Sequence, residues 1–228
     1  MENGNRSRRA LIVGAGSAVA AAALGARSAQ AQSSGAFQPA DHAEDGWMNQ
    51  RPGKHRIFID AATPNGAGEA ILYANNLYNA NKAAYAGGSD ADLAIVVCMR
   101  HFATPFAFTD AMWAKYGKVI GGMVNFTDPK SKTAPATNLY RDSPEYGLTL
   151  PNLGNTIDAV TKRGAYFAVC DTATHFLASQ LAAPMKMTAD EIYKELSTGL
   201  IPNSRLVSAG VMAVTRAQEH GYSLLYAG

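Results

Sequence analysis

The sequence predicts an α/β fold, three layers α/β/α around a mainly parallel sheet of about five strands. Three observations predict it. Two nearly unbroken apolar runs of strand length, Asp92–Cys98 and Ala165–Cys170, read as strands buried on both faces. Strand-like and helical segments alternate from His55 onward, which is the pattern of βαβ units. The helical segments stop on glycine, at Gly87-Gly88, Gly117, Gly164 and Gly221. Of 228 residues, 47% are hydrophobic and 17% charged, which supplies a sizeable core and too little charge for a disordered chain.

Residues 1–31 read as an address. Arg8-Arg9 is followed by an Ala/Gly/Val-rich stretch to Ala26, and Ala29-Gln30-Ala31 supplies a small-x-small cleavage pattern. The arginine pair points to the twin-arginine route, with cleavage expected after Ala31. A membrane anchor would need roughly 20 strongly apolar residues, and this stretch is shorter and rich in Ala and Gly. Gly14-Ala15-Gly16 lacks the third glycine of a dinucleotide fingerprint, and no βαβ unit follows it. The chain is therefore expected to be exported, to the periplasm or beyond.

Residues 32–54 are rich in Ser, Gly, Pro, Gln and Asp and read as a flexible N-terminal arm, either a tether or an arm lying across the domain, with Trp47 and Met48 able to pin it to the surface. The domain proper spans 55–228. Arg56–Asp60 is a short strand, and Ala61–Gly68 a loop. Glu69 to about Tyr85 is a helix, and the Asp92–Cys98 strand follows. Pro105–Tyr116 reads as a helix with proline in its first turn and Gly117 as its stop. Lys118–Val124 reads as a short strand containing Gly121-Gly122. Residues 125–151 form a long polar insert with four prolines, either functional or an arm. Asn152–Arg163 is a helix, and the Ala165–Cys170 strand comes next. Asp171–Ala182 is a helix with Asp171 as its cap. Thr188–Glu191 is a capping box that opens another helix. Leu206-Val207 is strand-like, Ala209–His220 is the last helix, and Tyr222–Tyr226 the last strand.

The formal charge of +2 is misleading. Removing the four basic and one acidic residues of the first 31 turns 20 basic and 18 acidic groups into 16 and 17, a net −1. A near-neutral body carries no electrostatic footprint for nucleic acid or an anionic membrane. Cys98 and Cys170 are open to two readings, one structural bridge or two thiols with chemistry to do. A bridge needs neighbouring strand ends, and a first strand lying between them, as in common doubly wound orders, would put it out of reach.

Sites in open parallel sheets form beyond the carboxyl ends of the strands. There the first strand delivers Asp60 and Asn65, the second Cys98, Arg100 and His101, and the central one Cys170, Asp171 and His175. Cys170 is the leading candidate. It ends a buried strand and precedes a helix, where free N–H groups and the positive dipole end favour the reactive form of a thiol. The competing reading is a buried, inert cysteine. His175 lies a little over one helical turn further on. His175, Arg100 and His101 are expected to shape an anion-tolerant pocket, with Asn65 and Cys98 among the binding groups. Cys-x-x-His at Cys98 and His101 supplies two metal-type ligands. A metal or haem site through His101 and His175 is therefore the alternative to a site that needs no cofactor. No nucleophile elbow, P-loop or HExxH motif is present.

The stretch Leu206–Val214, running on to Ala217-Gln218-Glu219-His220-Gly221-Tyr222, resembles the closing helix and strand of DsrE/DsrF-like proteins. In that family a glycine precedes a helix whose end carries a Gln-x-x-Gly-Tyr type motif. Ala165–Cys170 is similar to the family's central strand and its sulfur-carrying cysteine. The resemblance covers roughly residues 55–228, and the insert 125–151 and the address segment set the chain apart from the short cytoplasmic members. It implies a five-stranded, largely parallel sheet and homo-oligomers, often trimers or hexamers. It also implies a persulfide carried on Cys170, and a protein that donates the sulfur or accepts it. The contrasting class is a binding or scaffold module without turnover.

Overall fold

The computed structural model describes residues 38–228; the address at 1–31 and the first residues of the arm lie outside the described residues. Residues Pro39–Gly228 form one compact unit. Its five strands are β1 (His55–Ala61), β2 (Leu93–Met99), β3 (Tyr166–Cys170), β4 (Ser204–Val207) and β5 (Ser223–Ala227). They form one sheet in the order β4-β3-β2-β1-β5, and every neighbouring pair is parallel. The helices are α1 (Pro64–Ala84), α2 (Asp110–Met123), α3 (Ile157–Lys162), α4 (Asp171–Met185), α5 (Ala189–Thr198) and α6 (Gly210–Glu219).

The strand order explains where the helices lie. From β1 to β4 the chain steps in one direction across the sheet, then returns past β1 to add β5 at the far edge. Right-handed crossovers place every connection made in one direction on the same face, and the single reverse connection on the other. The side chains agree. Ile59, Ile95, Val97, Phe167 and Val169 pack against α1 to α5. Phe58, Val96, Cys98 and Ala168, one residue out of phase, pack against Ala213 and Ala217 of α6. Alternate residues of the inner strands β2 and β3 thus meet different layers, so these two read as continuous apolar runs.

One helix cannot cover a five-strand face, and the arm completes that layer. A 3-10 segment at Ala43–Met48 places Trp47 and Met48 in the core of this second layer, Met48 with no exposure at all. Tyr222 Oη donates to the Met48 carbonyl at 2.8 Å. The Trp47 ring lies 5.6 Å from that of Tyr166 and under the Arg205 guanidinium at 5.1 Å. This part of the arm is packed domain rather than a flexible tether.

Several local expectations are corrected. Helix α1 begins at Pro64, not Glu69, because Thr63 accepts the Gly66 N–H at 2.9 Å and proline suits the first turn. The segment expected as one helix over Pro105–Tyr116 is a 3-10 turn (His101–Ala107) followed by α2, and Lys118–Val124 is helical up to Met123 rather than a strand. Gly117 is not a stop: it lies against the Pro135 carbonyl with no room for a Cβ, so it serves close packing inside a helix. The insert 125–151 is neither arm nor free loop. It buries Phe126, Leu139, Tyr140, Tyr146 and Leu150, and a fully buried Asn138 donates to the carbonyls of Phe106 and Phe108. Helix α3 opens at Thr156, which accepts the Ala159 N–H, later than the expected Asn152. The cap of α4 is Cys170 itself, not Asp171. The strand carrying Cys170 is one in from the β4 edge, and β2 is the central strand. The capping box at Thr188 is present as read.

Candidate functional site

Neighbouring strands β3 and β4 send their chains to opposite faces, β3 into α4 and β4 into α6. A crevice opens wherever adjacent strands part in this way, and in open sheets it is the usual ligand position. A cavity of about 390 Å³ lies there, between the first turns of α4 and α6. Cys170, Arg100 and His101 line it, with Phe102 from the turn after β2. Helix α4 contributes Thr172, Ala173, Phe176 and Leu177, and Ala209 and Val211 close the α6 side.

Cys170 is the last residue of β3 and the N-cap of α4. Its Sγ accepts the Ala173 N–H at 3.4 Å, so the sulfur sits on the donor end of the helix. Two neighbours hold the turn. Thr174 Oγ1 donates to the Cys170 carbonyl at 2.9 Å, and Thr172 Oγ1 to the Ser208 carbonyl at 2.9 Å. The residue is 7% exposed, and what it exposes faces the cavity.

Arg100 lies beyond the end of β2. In the register Cys98↔Ala168 and Met99↔Val169, one further step sets Arg100 beside Cys170. Its guanidinium is engaged: Nε donates to Asp60 Oδ1 at 2.7 Å and Nη2 to Asp60 Oδ2 at 2.9 Å. That pairing pushes the guanidinium further above its ordinary range. The aliphatic stem of Arg100 lies against Gly210, where a Cβ has no room. The cavity therefore meets the flank of a neutralised ion pair, rather than the free cation expected of an anion pocket. His101 turns the chain in the left-handed region at φ 52°, a cost of about 1–2 kcal/mol, and its ring stacks on Phe102 at 4.1 Å.

The remaining sequence candidates go elsewhere. Cys98 is fully buried on the α6 face, its Sγ 3.9 Å from the Gly210 carbonyl. Burial, with the Asp60 carboxylate nearby, pushes its thiol well above the ordinary range, so it is a packed, protonated side chain. The first strand does not separate the two cysteines, since β2 and β3 are direct neighbours, yet both thiols are free. Asp171 accepts the Tyr193 hydroxyl at 2.8 Å, and His175 stacks on Tyr193 at 3.7 Å with Nε2 3.7 Å from Asp171. Asp171 and His175 thus anchor α5 to α4 and do not line the cavity that His101 lines. Asn65 is exposed in the first turn of α1, also away from the cavity. Among the described residues no group of three or more His, Cys, Asp or Glu is placed to hold a metal ion.

Sequence reasoning missed the apolar walls. Ala173, Phe176 and Leu177 were findable, because they follow Cys170 at helical spacing on one face. Val211 and Phe102 carried no such signal. No family model and no curated protein matches the chain.

Proposed function

We propose that this chain is an exported sulfur-handling protein of the DsrE/DsrF-like kind, in which Cys170 carries sulfur as a persulfide. One observation carries the reading: the Cys170 sulfur caps a helix on the wall of a cavity at the sheet's switch point, while the second cysteine is sealed in the core. A sulfur carrier needs a nucleophile within reach of its donor, and the second thiol, Cys98, is fully buried and does not line the cavity. The arginine pair and small-x-small site at the N-terminus support export, and transfer to or from a partner protein would occur at the mouth between α4 and α6.

The same reading makes the chain a homo-oligomer, a trimer or hexamer. The edge strand β5 supports this: Leu224, Leu225 and Tyr226 are all exposed, on both faces of an edge that no other strand pairs among the described residues. The near-neutral body gives nucleic acid no purchase. Among the described residues no helix is long and apolar enough to cross a membrane.

The test is mass spectrometry after incubation with polysulfide. The wild type and Cys98→Ser should each gain the mass of one sulfur atom, and Cys170→Ser should not. A sulfur adduct that persists in Cys170→Ser would remove the assignment.

A further inference from the structure

We infer that the sulfur donor of this site is organic and apolar: a sulfane sulfur attached to a leaving group with an aromatic or alkyl body, rather than an inorganic anion such as thiosulfate. This rests on Cys170 being the sulfur carrier, and it goes further by naming what brings the sulfur.

The cavity is far larger than a relay of bare sulfur requires. At about 390 Å³ it falls in the range of small-molecule clefts, about 300–1,000 Å³. Its walls are mainly apolar, with Phe102, Phe176, Leu177 and Val211 converging on a single sulfur and His101 and Thr172 the polar side chains beside Arg100. Such walls reward burial of a hydrocarbon body and penalise an inorganic dianion, which would lose its hydration and regain few hydrogen bonds, since Thr172 Oγ1 is committed to the Ser208 carbonyl and the Ala173 N–H to Cys170 Sγ. The fixed cation at the site does not compensate, because Asp60 binds the Arg100 guanidinium through two hydrogen bonds. Phe176 and Val211 are 51% and 61% exposed, an apolar rim at the mouth where a ligand would cover them.

The step is balanced without an oxidant. Cys170 Sγ attacks the terminal sulfur of the donor, and a new S–S bond forms between them. The bond joining that sulfur to its carrier atom breaks, and the electron pair leaves with the carrier. The thiol proton ends on the new persulfide. No net oxidation occurs.

Two probes present the same sulfonyl-bound outer sulfur on different bodies, one an aromatic monoanion and the other an inorganic dianion. Benzenethiosulfonate transfers its outer sulfur and releases benzenesulfinate; thiosulfate transfers its outer sulfur and releases sulfite. The rate of persulfide formation on the full chain is measured by mass spectrometry for each. Each rate is divided by that of N-acetylcysteine with the same donor, which removes intrinsic reactivity. The scaled rate should favour benzenethiosulfonate by about tenfold to a hundredfold, the effect of burying one aromatic ring. Phe176→Ser with Val211→Ser changes two exposed side chains, leaves the core intact, and should bring the two scaled rates together. Equal scaled rates in the wild type, with the adduct confined to Cys170, would overturn the donor class and leave the carrier standing. An adduct in Cys170→Ser, or none from either donor, would overturn both.

Discussion

Replacing Arg100 with methionine would keep most of the aliphatic stem against Gly210 and delete the guanidinium. The Asp60 carboxylate, its side chain 7% exposed, would then be buried with no countercharge. Two charge-assisted hydrogen bonds at 2.7 and 2.9 Å disappear. At about 1.5–3 kcal/mol each they bracket a loss of roughly 3–6 kcal/mol. This agrees with the about 3–5 kcal/mol expected when one partner of a buried pair is removed. A surface pair would cost about 0–1 kcal/mol. Urea unfolding at neutral pH separates the cases, provided the slope against denaturant stays constant. The double variant Asp60→Leu with Arg100→Met removes both charges and should recover most of the loss, because the penalty comes from the stranded charge rather than from the absent attraction. Were Arg100→Met to cost less than about 1 kcal/mol, or the double variant to be no more stable than the single one, the pair would not be a desolvated clamp between β1 and β2.

Two further outcomes follow from the arm and from a turn. Trp47→Ala should cost about 3–5 kcal/mol in urea unfolding, because the indole is the largest group completing the second layer; a loss below about 1 kcal/mol would mean the arm is not part of the core. Asp92 is held from the ordinary 3.8 down to about 2, first by the hydrogen bond from Lys54 and then by those from the Ser89 backbone and hydroxyl. A folded-state value below the unfolded one stabilises above the unfolded pKa and is lost as pH falls through the folded one. The difference in unfolding midpoint between wild type and Asp92→Asn should therefore be constant near neutrality, shrink below about pH 4 and vanish only below about pH 2. A difference that does not change with pH would show that the carboxylate charge plays no part.

What the sequence determined by itself is what local periodicity and end chemistry can encode. Doubly buried strands have to be apolar on both faces, so Leu93–Met99 and Tyr166–Cys170 announce themselves, and with them a parallel α/β sheet. The Thr188–Glu191 box and the position of Cys170 at a strand-to-helix junction are equally local. The start of α1 at Pro64 was legible in principle from Thr63-Pro64, but the glycines of that turn read as loop. Gly117 misled because a glycine chosen for close approach looks the same in sequence as one chosen to end a helix; only the Pro135 carbonyl lying against it distinguishes the two.

The tertiary structure alone decided the strand order, and from the order came the rest. Putting β3 beside β2, with α6 on the opposite face from α4, opened a crevice at Cys170 and buried Cys98 beneath α6. The same arrangement brought Asp60 onto Arg100, turning an expected anion-binding cation into a neutral wall. It also turned Asp171 and His175 toward Tyr193. These are pairings between residues distant along the chain. Their energies depend on separation in space and on the exclusion of water, and neither is set until the layers close.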